Sequence, residues 1–427
     1  MSKIISVLVA LACVASFACF VPGAAHAAGE KTELLARTIE SAKPKGKAAV
    51  FAALPPELKE NFVLIKKSRS RQRGTPALPR VLHFSKNVDL VVSLSGHEAP
   101  NDLSANDLEI MELDETTGEW IFSTISFNET GVTGLHKNVQ FCLHCHGTYE
   151  ARPIWGDYPN WPTAYGGSLA IPEKMDGQEL ADFIAFSATA PLHEAYRHLE
   201  WTFANDQFSL KNTVYGYPNS VFTARLGVRT AQALFVKARK AADWKRNGSA
   251  FAAYALSCAI PEKVAKRVES AYEARMKSDA TFNTRWSPKT KPTDTGSLAI
   301  RLLDLDPTVD FDLDDMPTQA GRRESLDLQK PWNAGVDYLP SLLAFKFFVT
   351  AYESDPALRT AFASSASAIE SIEKDSYLAT NERLAQLDDP STTQGYVDGL
   401  FPSLHFKVWK DPTLRRVACD ALNAKAL

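Results

Sequence analysis

Asp107-Leu108-Glu109-Ile110-Met111-Glu112-Leu113-Asp114 is followed by Glu115-Thr116-Thr117-Gly118 and then by Glu119-Trp120-Ile121-Phe122-Ser123-Thr124-Ile125-Ser126-Phe127. Two runs rich in apolar and β-branched residues flank a polar, glycine-containing break, which predicts a β-hairpin with strands over 107–114 and 119–127. In the second strand Ile121, Ile125 and Phe127 fall on one face, so the sheet is expected to pack on one side. Upstream, residues 80–85 and 88–95 are further apolar runs bounded by turn residues. These four strands follow one another with no helix between them. That order predicts an antiparallel meander and speaks against an alternating βαβ fold.

Outward from the meander the chain reads as helix. Residues 32–42 and 55–65 are expected as short helices, the prolines at 55 and 56 suiting a helix start. Lys66-Lys67-Ser68-Arg69-Ser70-Arg71-Gln72-Arg73-Gly74 reads as a basic, solvated connector, with a docking patch for an acidic redox partner as the alternative. Beyond position 177, helical spacing and alanine content predict helices over 178–188, 192–203, 220–243, 249–257, 261–278, 297–303, 340–352 and 356–373, and a last one from Pro412. The expected fold is α+β and predominantly helical. An N-terminal region of antiparallel strands (28–135) precedes a helical region (136–427).

The first 27 residues resemble an export signal. Lys3 supplies a positive start, residues 4–20 an apolar run, and Ala25-His26-Ala27 a small-x-small cleavage site. Cleavage removes Lys3 and no acid, taking Lys+Arg from 47 to 46 against 50 Asp+Glu, a net charge of −4. That balance gives no reason to expect nucleic acid or a polybasic membrane surface as partner. No later apolar run is long enough to span a bilayer, so a periplasmic or secreted product without a membrane span is expected. Of the six cysteines, Cys13 and Cys19 leave with the signal. An oxidising compartment favours a disulfide between Cys258 and Cys419, separate buried thiols being the alternative.

The remaining pair lies in Phe141-Cys142-Leu143-His144-Cys145-His146-Gly147, which contains Cys-x-x-Cys-His. This pattern attaches a c-type haem: two thiols spaced to reach both vinyl groups, and a histidine to supply the proximal nitrogen. A zinc site would need a second ligand pair of suitable spacing, which the sequence lacks. A thioredoxin-like dithiol would need a preceding βαβ strand. Together with the signal, Cys142-x-x-Cys145-His146-Gly147 resembles the c-type cytochromes. The resemblance implies Cys142 and Cys145 as thioether positions, His146 as proximal ligand and one covalent haem c. The longer run through Arg152-Pro153-Ile154-Trp155 and Trp161-Pro162-Thr163-Ala164-Tyr165-Gly166 is similar to segments of uncharacterised exported bacterial proteins with one such motif. That likeness implies no activity.

Residues 149–167 carry Tyr149, Trp155, Tyr158, Trp161 and Tyr165 among prolines and glycines, a loop apolar enough to pack on a haem face or a core. Trp155 and Trp161 are candidate haem-packing residues, and Arg152 a candidate partner for a haem carboxylate. Met175, His193 and His198 are candidates for the second axial position. Met316 is more distant in sequence, and His144 is too close to His146 to reach the opposite side. The two histidines sit five residues apart on one expected helix, so at most one would face the iron. A filled second position suits electron exchange with a redox partner protein or a small oxidant or reductant. A vacancy suits a peroxidase-like or oxygenase-like enzyme, and a structural haem suits a sensor or binding protein. The acidic run from Asp304 to Asp315 opens like a calcium loop at Asp310-x-Asp312-x-Asp314. It then departs from that pattern, with Asp315 at the glycine position and Gly321 at the bidentate-glutamate position.

Overall fold

A computed structural model describes residues 29–68, 70–85, 87–96, 105–137, 139–146, 164–165, 177–199, 201–204, 207–210, 217–305, 339–363 and 411–427. Its N-terminal part is a six-stranded antiparallel sheet in chain order: β1 (Phe62–Ile65), β2 (Arg80–Phe84), β3 (Leu90–Leu94), β4 (Asp107–Asp114), β5 (Glu119–Asn128) and β6 (Gly131–His136). The expected hairpin is its centre, with Asp114 opposite Glu119 and Asp107 opposite Ser126. A register shift between Ser126 and Phe127 interrupts the pairing of β5 with β6, with Ser126 opposite Gly134 and Phe127 opposite Val132. The architecture is mixed α+β.

Two strands of this sheet lie outside the expectation. Residues 55–65 do not form one helix: α3 (Pro56–Glu60) ends at the extended Asn61, and Phe62-Val63-Leu64-Ile65 pairs with β2. Proline favours the helical start, whereas the run after Asn61 is apolar and partly β-branched, and a waiting partner strand decides it. The sixth strand, Gly131–His136, contains two glycines and little apolar alternation, so its pattern carries no strand signal.

The sheet is covered on both sides, not on one. Alternate residues of each strand enter different cores: Leu64, Val81, Val92, Ile110 and Ile125 on one face, and Ile65, Leu82, Val91, Met111 and Phe122 on the other. The first face packs under α1 (Glu30–Ser41), α2 (Lys47–Ala52), α3 and α5 (Gly177–Thr189), through Leu35, Ile39, Phe51, Leu58, Phe183 and Phe186. Glu112, 2% exposed on that face, accepts from the backbone N–H groups of Lys31 and Thr32 at 3.1 and 2.9 Å and from Thr32 Oγ1 at 2.7 Å. It thereby satisfies donors that the first turn of α1 leaves open. The opposite face is met by α6 (Tyr217–Ala238) through Phe222, Leu226 and Ala233, and by Ala164, Cys142 and Leu143.

The helical part surrounds α7 (Trp244–Ala255), whose Ala250, Ala252, Ala253 and Ala255 are buried. Around it lie α8 (Glu262–Ser278), α9 (Ala280–Trp286), α10 (Thr295–Leu302), α11 (Leu339–Ser354), α12 (Pro356–Ala361) and α13 (Pro412–Lys425). Small side chains let α7 approach closely: a Cβ on Gly248 would lie 2.2 Å from the Phe347 ring. The Cys258–Cys419 disulfide joins the end of α7 to α13 across 161 residues. Among the described residues no helix is long and apolar enough to cross a membrane.

Residues 192–203 do not form the expected helix. A 3-10 turn (Ala190–Leu192) leads through further turns into β7 (Trp201–Ala204), paired with β8 (Gln207–Leu210). The connector at 66–74 is not simply solvated either. Lys66 pairs with Glu179 at 3.1 Å, and Gln72 is fully buried. The calcium-like run beyond Leu305 and the residues after 363 of the expected 356–373 helix lie outside the described residues, while Asp304 pairs with Arg275.

Candidate functional site

The Cys-x-x-Cys-His motif ends a short helix, α4 (Gln140–His146), that follows β6 directly. The Val139 N–H donates to Phe122 O at 3.0 Å, which seats the helix start on β5. Positions 142 and 145 are three residues apart on a helix and so return to the same face; position 146 lies four from 142. Cys142 is half-buried and packs with Leu143 against the core containing Met111, Trp120 and Phe122. The Trp120 indole N–H, buried in that core, has no acceptor among the described residues.

Beside this apolar wall lies a cluster of charge. Arg71 donates to Asp107 Oδ2 at 2.5 Å and to Glu109 Oε1 at 3.2 Å, and Arg80 donates to Glu109 Oε2 at 3.1 Å. Arg80 also donates to Ser93 Oγ, which donates to Gln72 Oε1 at 2.5 Å; Gln72 Nε2 donates to Asp107 O at 2.8 Å. Asp107 and Glu109 are alternate residues of β4 and therefore share a face, the face that carries Met111. Burial works against the charge on Arg71, but Glu109 and Asp107 outweigh it and hold the guanidinium above its ordinary value. For Arg80 burial wins: its pKa is lowered despite attraction from Glu109 and from Cys142. The Arg71 guanidinium sits 5.0 Å from the ring centre of Phe141, which is 51% exposed. Asp107 and Glu109 were legible as same-face acids on a buried strand, but nothing in their spacing pointed to α4.

The expected site residues are distributed unevenly. Cys142 is placed as described, and the backbone of Cys145 and His146 lies in α4. Arg152, Trp155, Trp161, Met175 and Met316 lie outside the described residues. His193 is brought to the other side of the sheet. Its ring packs 5.0 Å from that of Tyr196, and its Nδ1 accepts from the Ala195 N–H at 3.2 Å, among residues of the core beneath α1 to α3. His198 is there too, its Nε2 3.0 Å from Nε2 of His83, whose Nδ1 donates to Leu58 O at 2.6 Å. The sheet stands between both histidines and Cys142. Of the aromatic loop, Ala164 bridges to Ile65, and Tyr165 donates its hydroxyl to Pro76 O at 2.7 Å, anchoring that end on the β1 edge.

Positions 142 and 145 on one face of α4, position 146 beside them, an apolar wall and a neighbouring pair of guanidinium groups lie together here. Among the described residues no group of three or more His, Cys, Asp or Glu side chains is arranged to hold a bare metal ion. No protein-family model, curated protein or solved structure matches this chain.

Proposed function

We propose that the chain is an exported protein of c-type cytochrome character, with one haem c on Cys142 and Cys145 and His146 as proximal ligand, exchanging electrons with a redox partner protein or a small oxidant or reductant. The single observation that supports this reading is the complete Cys-x-x-Cys-His on one helical turn, seated on an apolar sheet face. Each thiol would add S–H across one vinyl group, sulfur to the inner carbon and hydrogen to the terminal one. Bound there, the haem supplies a one-electron couple. Val139 and Phe122 hold the helix start, and Leu143 and Cys142 bury one side of the turn. The placement of His193 and His198 across the sheet favours Met175, or a vacancy, for the second axial position.

The reading is tested by mass spectrometry of protein made in a host competent for cytochrome maturation. A covalent porphyrin on wild type, lost in Cys142→Ala/Cys145→Ala, is the expected result. Wild-type protein without added porphyrin mass would overturn the proposal. Carbon monoxide binding by the ferrous protein then separates electron exchange, which predicts none, from a haem enzyme.

A further inference from the structure

We infer that the cluster of Arg71, Arg80, Asp107 and Glu109 sets the reduction potential of the centre carried by α4, with Arg80 raising it and Glu109 lowering it; this rests on the haem reading above. Two separate contacts tie the cluster to the helix. Arg71 stacks on Phe141, and the next residue, Cys142, packs against the core on the sheet face that carries Arg80 and Glu109. Side-chain exposures of 8% for Arg80, 14% for Glu109 and 12% for Asp107 remove these charges from most solvent screening.

The sign follows from charge balance. Two guanidinium groups and two carboxylates sum to zero, so removing any one leaves a net charge fixed beside the motif. Reduction adds an electron to the iron. A fixed positive charge therefore favours the reduced state and a fixed negative charge the oxidised state. At an effective dielectric of about 20, a unit charge within about 20 Å changes such an equilibrium by roughly fourfold or more. Arg80 and Glu109 are positioning residues here, acting on the centre through space.

Arg80→Gln is expected to lower the midpoint potential and Glu109→Gln to raise it, read by optical redox titration of the full-length holoprotein. Arg80→Lys should keep most of the wild-type value, and Arg80→Gln/Glu109→Gln should return close to it. Lys291→Gln, in an exposed pair with Glu269 and Glu273 on α8, is the control and should not move it. Should Arg80→Gln not fold, Asp107→Asn and Arg71→Gln test the same signs on the same cluster. Porphyrin-bearing variants whose potentials stay at the wild-type value would overturn the inference and leave the haem reading standing. Wild-type protein without porphyrin removes both.

Discussion

His83 and His198 form a chain of fixed tautomers. Leu58 O can only accept, so His83 carries its proton on Nδ1 and offers a bare Nε2, and His198 must donate from its own Nε2. The Nδ1 of His198 is then an unprotonated buried nitrogen with no partner among the described residues. Burial above all, opposed by the Leu58 bond and aided by Lys59, lowers the pKa of His83 to about 4. Burial, His83 and Lys59 lower that of His198 as well. Both folded values lie below the unfolded value of about 6.5, so the unfolded chain takes up protons first as pH falls. Stability is therefore full above about pH 6.5 and declines from there towards pH 4. Each histidine contributes a slope of up to about 1.4 kcal/mol per pH unit. Urea denaturation at a series of pH values measures it. A His83→Phe/His198→Leu protein should lose most of that slope, and an unchanged one would refute the assignment.

At the scale of elements, α6 joins the sheet to the helical part by resting on turns. Its Arg229 donates to Asn87 O at 2.8 Å in the β2–β3 turn, and Lys240, just beyond its end, donates to Thr117 O at 3.0 Å in the β4–β5 loop. Gly118 in that loop has φ +71°, and a Cβ there would lie 2.5 Å from Ala233 O of α6. Only glycine meets both demands. Gly118→Ala is expected to cost about 1–3 kcal/mol. Gly177→Ala, where a Cβ meets no described atom within 4 Å, should be close to neutral. Thermal unfolding of the two variants side by side checks the contrast; equal melting temperatures would deny α6 its tight seat on the hairpin.

For the molecule as a whole, the Cys258–Cys419 bond closes a loop of 161 residues around the helical core. Constraint of the unfolded chain over such a loop contributes at most about 5 kcal/mol. Arg415 and Asn423 of α13 reinforce it locally by donating to Ser257 O and Ala259 O at 2.8 and 2.9 Å. Reduction, or Cys258→Ser/Cys419→Ser, should lower the denaturation midpoint by several kcal/mol equivalent. A midpoint indifferent to reductant would mean that the bridge constrains little.

The hairpin at 107–127 and most helices were legible because their signals are local: alternation, a glycine turn, helical spacing and proline starts. The Cys-x-x-Cys-His motif is equally local, three residues within one turn of chain, and its backbone lies on α4. What sequence alone left undecided is pairing between distant residues. Phe62–Ile65 became a strand because β2 was beside it. The residues after Leu192 became turns and a strand because the His83 face captured Tyr196 and His198. Lys66 and Arg71 looked solvated until Glu179, Asp107 and Glu109 came to meet them. Local spacing states which residues can share a face; only the closed tertiary structure states which face, because burial is a property of neighbours that lie far apart along the chain.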